Sequence, residues 1–262
     1  MQIIKNEKID VKLTIQFTVL TFIIVLSTWI PIIILSQFGI TTINHAWIYF
    51  LQLLGAISPT IASYIAMKKN NRVKNFKEWI KIIFNVKIHI LYYISAIASI
   101  AIFHILDRYF SGIVEIPPPH MIPIILLICF LMGGLEEAGW RCILQPELEK
   151  KFGFIISAII TGLIWYVWHL PLFFISDTAQ SGFNIWMYLF ICIMLSFLFG
   201  AFRKISGSVF LIIIAHTLSN AMAVGGIFIS TWLGVIGSTI ILALLSIIAV
   251  HIFDKKQKIK IS

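Results

Sequence analysis

The feature that most constrains the fold of this chain is a series of apolar runs, each about 20 residues long, along its whole length. A run of this length is what a helix needs to cross the hydrocarbon core of a membrane. Apolar residues make up 60% of the 262 residues, and charged residues make up only 12%. The sequence therefore predicts an all-α, polytopic membrane protein in a single domain, residues 1–262, with an intramembrane polar site.

We predict eight transmembrane helices. The first apolar run is too long for the core of a signal peptide, and no small-residue cleavage site follows it, so we expect an uncleaved span. The turn between the last two spans is expected between Gly225-Gly226 and Ser230-Thr231. The predicted spans are Leu13–Ser36, Trp47–Met67, Ile88–Leu106, Met121–Leu144, Gly153–Ile175, Ile185–Phe202 and two within Ile205–Phe253.

The positive charges of the chain are one-sided. With eight spans, eighteen of the twenty Lys and Arg residues fall on one side of the membrane, Arg108 falls on the other, and Arg141 lies within a span. Because Lys and Arg concentrate in cytoplasmic loops, we expect both termini in the cytoplasm. The net charge of +9 then belongs to loops that touch anionic lipid headgroups, and not to a nucleic-acid-binding surface. The Ile-, Lys- and Asn-rich composition favours a bacterial plasma membrane.

Three charged residues interrupt the fourth predicted span: Glu136, Glu137 and Arg141. Ionisable side chains in hydrocarbon are costly and rare, and they are usually functional. Adjacent helical residues point about 100° apart, whereas Glu137 precedes Arg141 by four residues, the favourable order for a helical ion pair. We therefore expect this pair to form, which leaves Glu136 as the candidate for chemistry. The flanking residues that let neighbouring helices approach closely are Gly133, Gly134 and Gly139.

Three further polar residues lie in later spans: His169, and the pair His216 and Asn220, which share one helix face. Each alone is more typical of packing or of hydrogen bonds between helices than of catalysis. Together with Glu136 they could surround a water, with the carboxylate as general base and the imidazole and amide groups as oxyanion donors. The remaining histidines lie near predicted span ends, where water satisfies them, and they receive no role: His45, His89, His104, His120 and His251.

Three motifs, in this order, resemble those of the CPBP intramembrane proteases. That family includes the type II, Rce1-like CAAX prenyl endopeptidases and bacterial relatives linked to bacteriocin immunity. The motifs lie within Leu135–Asn220, in a core of residues 121–225. They are Glu136-Glu137-x-x-x-Arg141, Trp165-x-x-x-His169 and His216-x-x-x-Asn220.

The resemblance implies an eight-helix intramembrane fold and a division of roles. Glu136 would activate water alongside His169, and His216 and Asn220 would form the oxyanion site. Trp165 stands where the family commonly has phenylalanine, a change that preserves the aromatic character. The residues that would support the first motif are Glu137 and Arg141.

The sequence thus favours an intramembrane endopeptidase that hydrolyses a peptide bond of a membrane-associated peptide or protein, with a site reached from the cytoplasmic half of the bilayer. Two alternatives stay open. A proton-coupled membrane transporter is one, since Glu and His within spans also mark proton relays. A non-catalytic membrane immunity or scaffold protein is the other.

The use of a metal also stays open. Glu136, His169 and His216 would make a two-histidine, one-carboxylate set like that of hydrolytic zinc sites. The chain has no HExxH motif, however, and a ligating Glu136 would no longer be the general base. We therefore favour glutamate-activated water, with a divalent metal such as zinc as the alternative.

The predicted spans place the site residues at unequal depths. The helical rise puts Glu136 and His216 about 10–12 Å from the cytoplasmic ends of their spans, but His169 about 24 Å from Gly153. A common site requires that the fifth span begins outside the hydrocarbon or tilts.

Overall fold

The protein is described here by a computed structural model, which covers residues 8–41, 45–111, 117–176, 178–224 and 231–259. Within these ranges its regular secondary structure is helical and there is no strand, as the all-α prediction requires. The longer helices are α1 (Val11–Gln37), α2 (Ala46–Ala56), α3 (Ser58–Lys69), α4 (Phe76–Ile83), α5 (Ile90–Ser111), α6 (Ile122–Met132), α8 (Gln145–His169, broken into two parts at Gly153), α9 (Ile185–Ser206), α10 (Val209–Ala223) and α11 (Trp232–Ile259).

Local sequence sets where several helices begin. The side chains of Asp10, Asn184 and Ser208 accept hydrogen bonds from backbone N–H groups in the first turns of α1, α9 and α10. These are the residue types that satisfy the unpaired donors at a helix start. Pro59 lies in the first turn of α3, where its missing N–H is tolerated, and α2 and α3 meet there at an angle of 46°. The predicted second span is therefore a bent pair of helices.

The fourth predicted span is also interrupted. Helix α6 ends at Met132, and Gly133 departs from helical geometry with φ −142° and ψ −63°. A 3-10 turn (Gly134–Glu136), the three-residue α7 (Glu137–Gly139) and a π-helical turn (Trp140–Leu144) then lead into α8. The prediction of one regular helix over Met121–Leu144 was wrong, because the backbone leaves helical geometry at Gly133 and then passes through 3-10 and π-helical turns.

Several helices are long and apolar enough to cross a membrane. In the described ranges these are α1, the helical run Pro119–Phe174, α9 and α11, with the bent pair α2–α3 as a fifth candidate. Shorter apolar helices cover Ile90–His104 and Val209–Ala223. The chain is an integral membrane protein, and the count of eight spans stays a prediction. Most of the expected turn between the last two spans lies outside the described residues.

The long helical segments between chain reversals run in opposite directions, with the bent pair α2–α3 counted as one segment, so the bundle has two ends. Contacts far apart in sequence identify one of them: the Asp10 backbone N–H donates to Glu147 (2.9 Å), and Ser208 Oγ donates to the Asn85 carbonyl (2.8 Å). We call this the basic end, because it carries Lys8, Lys12, the cations of Lys68–Lys87, Lys150, Lys151, Arg203, Lys204 and Lys255–Lys258. We call the other the cavity end; the helix ends that meet there are Gln37, Ala46, Ser111, Ile122, His169, Ile185, Ala223 and Trp232.

The three glycines near the charged motif bring helices into close contact, as predicted. A Cβ atom at Gly133 would lie 2.2 Å from Asn220 Nδ2, and one at Gly134 would lie 2.3 Å from Thr217 Oγ1. At Gly139 it would lie 2.5 Å from the Phe17 ring. Helices α10 and α1 can therefore pack directly against the segment that carries the two glutamates.

Candidate active site

The backbone around the two glutamates is irregular, and their side chains do not follow the geometry of a single α-helix. A 3-10 turn ends at Glu136, and a π-helical turn begins at Trp140. Such π-helical turns occur often at functional sites. Glu136 and Glu137 are both buried, and each contacts a different set of residues.

Glu137 lies at the centre of a buried ionic network. Its Oε2 accepts from Arg141 Nε (2.8 Å), so the expected ion pair is present. Its Oε1 lies 2.9 Å from His216 Nδ1. Arg141 Nη1 donates further to Ser196 Oγ (2.9 Å) and to Gln145. Because both charges are fully buried, the removal of either partner would leave an uncompensated charge.

Glu136 is held by a different helix. Its Oε2 accepts a hydrogen bond of 2.8 Å from the indole Nε1–H of Trp165 on α8. Trp165 thus does more than preserve aromatic character: phenylalanine has no N–H with which to hold the carboxylate. A carboxylate can accept about four hydrogen bonds, so this contact leaves acceptor capacity for a water.

The ring of His169 has a defined orientation and tautomer. Its Nδ1 lies 2.8 Å from the carbonyl oxygen of Trp165, which can only accept, so Nδ1 carries the hydrogen. The neutral ring then offers an Nε2 lone pair as an acceptor. The rings of Trp168 and Tyr188 pack edge-on at 4.7 and 5.1 Å between centroids. His169 can therefore orient a water by accepting one of its hydrogens.

His216 and Asn220 face the same space from α10. Because the Glu137 carboxylate accepts at Nδ1 of His216, the other ring nitrogen of His216 is the one left for chemistry. As an imidazolium, His216 would donate from Nε2. Asn220 packs against Gly133, whose missing side chain makes room for the amide.

One cavity of about 500 Å³ brings these residues together. Glu136, His169, His216 and Asn220 all line it, and the rest of its wall is mainly aromatic and aliphatic. Its size is within the range of pockets that hold organic ligands, and is far larger than one water needs. The apolar residues of the wall include Trp29, Phe103, Cys129, Met132, Leu172, Tyr188, Ile191, Cys192 and Leu195.

A third histidine of the cavity was missed by the sequence analysis. His104 was expected near a span end in contact with water, but it is buried and its Nε2 lies 3.1 Å from Ser219 Oγ. Both residues line the cavity. Ser219 follows His216 by three residues and so lies on nearly the same face of α10, which was the available signal. The other four histidines without a role are exposed, as expected.

Glu136 and His169 were predicted at different depths because the fourth span was predicted to end at the wrong residue. The fourth span was ended at Leu144, where polar residues begin, but the helix continues because Gln145 accepts from Arg141 and Glu147 accepts from Asp10. The chain reverses only at Gly153, where φ is 70° and ψ is 177°. Glu136 and His169 are separated from that turn by nearly equal numbers of residues, which corresponds to about 25 Å of helix in each case.

The cavity lies on the unexpected side of the bundle. Its wall is formed by the halves of α1, α5, α9 and α10 that point away from the basic end, together with the end of α8. The site was expected to be reached from the half of the bilayer that holds the basic loops. The lining residues instead place the cavity at the other end of the described bundle, and the side of the membrane from which it is reached stays a prediction.

The residues considered as metal ligands do not form a recognisable metal site. In the part of the chain that the structure describes, no three His, Cys, Asp or Glu side chains are grouped to hold an ion. Glu136 is bound by Trp165, and His169 and His216 each use Nδ1 for a protein partner.

Comparisons with known proteins agree with the motifs. Residues 118–222 match the family model described as Type II CAAX prenyl endopeptidase Rce1-like. The chain is also 29% identical over 153 residues to CAAX prenyl protease 2 of Methanococcus maripaludis, an alignment that covers 52% of this chain and 55% of that protein. The chain thus matches about half of the length of this curated relative. The Rce1-like resemblance inferred from the motifs is confirmed, and all three motifs lie within the matched region.

Proposed function

From the Rce1-like region at residues 118–222, we propose that this protein is an intramembrane endopeptidase that uses glutamate-activated water. The observation that carries the proposal is the convergence of Glu136, His169, His216 and Asn220 on one cavity. The substrate would be a membrane-associated peptide or protein. The family match favours this activity over proton-coupled transport.

The first step would be the activation of a water between Glu136 and His169. Glu136 takes one proton of the water, and the Nε2 lone pair of His169 accepts the hydrogen bond of the other. The resulting hydroxide attacks the peptide carbonyl carbon, and the carbonyl π electrons move to the oxygen. The contacts of Trp165 support this role, since it holds Glu136 through its indole and His169 through its carbonyl.

The second step would be the collapse of the tetrahedral oxyanion. Asn220 Nδ2–H and the Nε2–H of an imidazolium at His216 stabilise the oxyanion, and the bond from Glu137 to Nδ1 supports the charged ring. When the C–N bond breaks, Glu136 returns its proton to the leaving amine. Arg141 holds Glu137 in place and does not touch the substrate.

We further propose one domain that crosses a bacterial plasma membrane eight times, with both termini in the cytoplasm. The eight predicted apolar segments all contain helices in the described ranges, which supports this arrangement. The concentration of cations at the basic end supports the orientation.

The test is the comparison of wild-type and Glu136→Gln protein. Both are purified in detergent, reconstituted into liposomes and incubated with a library of membrane-associated peptides, and the products are identified by mass spectrometry. The loss of a general base lowers rates by about 10²- to 10⁴-fold, so cleavage by the variant should fall by that factor. Cleavage by Glu136→Gln at the wild-type rate would overturn the mechanism.

A further inference from the structure

The residues that line the cavity share one position along the bundle. On α9 they lie in the first half of the helix, from Tyr188 to Leu195, and on α10 they lie in the second half, from His216 onwards. These two helices run in opposite directions, so both halves point to the cavity end. The lining residues at the end of α8 and beyond it agree with this placement. They are His169, Leu172, Thr178, Ala179 and Gln180.

The site is closed towards the basic end. Trp140, Arg141, Gln145 and Phe199 lie on that side of it, and each is fully buried. Gln145 fills the space left by Gly200, where a Cβ would come within 2.0 Å of its Nε2. In contrast, the cavity wall includes residues that are about half exposed: Tyr49, Ile128 and Val224. A substrate can therefore reach Glu136 from the cavity end, but not through the basic end.

The distribution of charge gives these two ends a direction across the membrane. Eighteen of the twenty Lys and Arg residues precede, follow or connect helices at the basic end, and Arg108 is the cation placed near the other. Lys and Arg near span ends mark the cytoplasmic side. The basic end is thus cytoplasmic, and the cavity end faces the outside of the membrane.

We propose that the substrate enters from the extracytoplasmic side, as a peptide or membrane-protein segment that has already been carried across the membrane. The proposal rests on the proposed function for the identity of the site, but the direction of access stands on packing and charge alone. The proposal also specifies the chemistry of the substrate. The wall and the opening of the cavity are mainly apolar, so the segment that binds is apolar on both sides of the cleaved bond. A cytosolic protein with a lipidated C-terminus would approach from the closed end.

Thiol labelling in intact cells tests the direction of access without any need for activity. The described structure contains free cysteines at Cys129, Cys142 and Cys192, which are first replaced by alanine. In that background Ala179→Cys places a thiol at an exposed, cavity-lining position, and Lys74→Cys places one at an exposed position of the basic end.

A membrane-impermeant maleimide is added to intact cells, and labelling is compared with that after permeabilisation. For Ala179→Cys the ratio of the two should be close to one, and for Lys74→Cys close to zero. The reverse pattern would overturn the proposal, and so would labelling of both variants from outside. The wild-type chain, carried through the same protocol, reports any labelling of the native thiols.

A second measurement connects access with chemistry. A peptide that the wild-type liposomes cleave is added to the outside of right-side-out and of inside-out membrane vesicles, with Glu136→Gln vesicles as the control. Cleavage confined to right-side-out vesicles supports the proposal, and cleavage confined to inside-out vesicles overturns it. If no peptide is cleaved by either preparation while Ala179→Cys is labelled from outside, the direction of access holds and the proposed function fails.

Discussion

Between the site and the basic end lie the fully buried side chains of Trp140, Arg141, Gln145 and Phe199, whereas between the site and the cavity end the described residues enclose about 500 Å³. Two glutamates adjacent in sequence belong to these different regions. Glu137 is tied into the filled region through Arg141, and Glu136 faces the hollow one. Burial alone therefore does not define the role of a charged residue in a membrane protein: Glu137 is paired with a buried cation, whereas Glu136 lines the cavity.

Substitution of Glu136 and of Glu137 should give the largest difference in stability between these two regions. Glu137→Gln leaves Arg141 buried without its charge partner, and we expect the free energy of unfolding in detergent to fall by about 3–5 kcal/mol. Glu136→Gln is the matched control. It leaves no buried cation without an ion-pair partner, and its amide oxygen can still accept a hydrogen bond from Trp165. Its stability should stay close to that of the wild type. Equal losses in the two variants, measured by denaturant unfolding, would contradict the comparison.

Trp165→Phe should affect activity more than stability. It removes the N–H that holds Glu136, and a hydrogen bond to a charged group contributes about 1.5–3 kcal/mol. We expect kcat to fall by about 10- to 100-fold with little change in KM. Trp168→Phe is the control, since its indole donates to the neutral Ser58 Oγ (3.0 Å). If both variants lose kcat equally, the bond to Glu136 has no special role.

The density of the filled region can be probed with one added methyl group. At Gly200 a Cβ would lie 2.0 Å from Gln145 Nε2, and Gln145 is itself held by Arg141, so Gly200→Ala should destabilise the protein by about 1–3 kcal/mol. At Gly237 in α11 nothing lies within 4 Å, and alanine there should be neutral or stabilise by about 0.5–1 kcal/mol. Thermal unfolding of the two variants in detergent measures the difference. A Gly200→Ala protein as stable as the wild type would show that this region can relax.

The smallest effect is expected at the surface of the basic end. The Leu13 backbone N–H and the Arg72 guanidinium hold the pKa of Asp10 below its usual value. Because the folded pKa is lowered, this carboxylate stabilises the fold above its usual pKa, and the contribution is lost as the pH falls through the lowered value. Asp10→Ala should reduce stability by about 0.5–2 kcal/mol at neutral pH. Unfolding curves of the two proteins should converge in acid; a constant difference would exclude the cap as its cause.

The sequence was most informative where geometry is local. The pair Glu137–Arg141 follows from a spacing of four residues, and the apolar runs follow from membrane thickness. The bond from Glu137 to His216 was not predictable in the same way, because 3-10 and π-helical turns around the glutamates alter the angle at which each side chain leaves the helix.

Other features depended on contacts between distant segments. The fourth span could not be extended past Leu144 from hydropathy, since Gln145 and Glu147 are tolerated only through their partners Arg141 and Asp10. His104 joins the cavity through Ser219, more than one hundred residues away. The side on which the cavity lies depends on how α8, α9 and α10 fill the other end, which no single segment encodes.

Deletion of one residue within Trp140–Leu144 would convert the π-helical turn into ordinary α-helical hydrogen bonding. The chain before it would then rotate by about 100° relative to α8. Glu136 would turn away from Trp165, and Glu137 would turn away from His216, although every residue of the site was still present. The π-helical turn thus sets the angle about the helix axis between the first motif and the other two, so a change in the length of this stretch would separate the motifs even if every side chain of the site were kept.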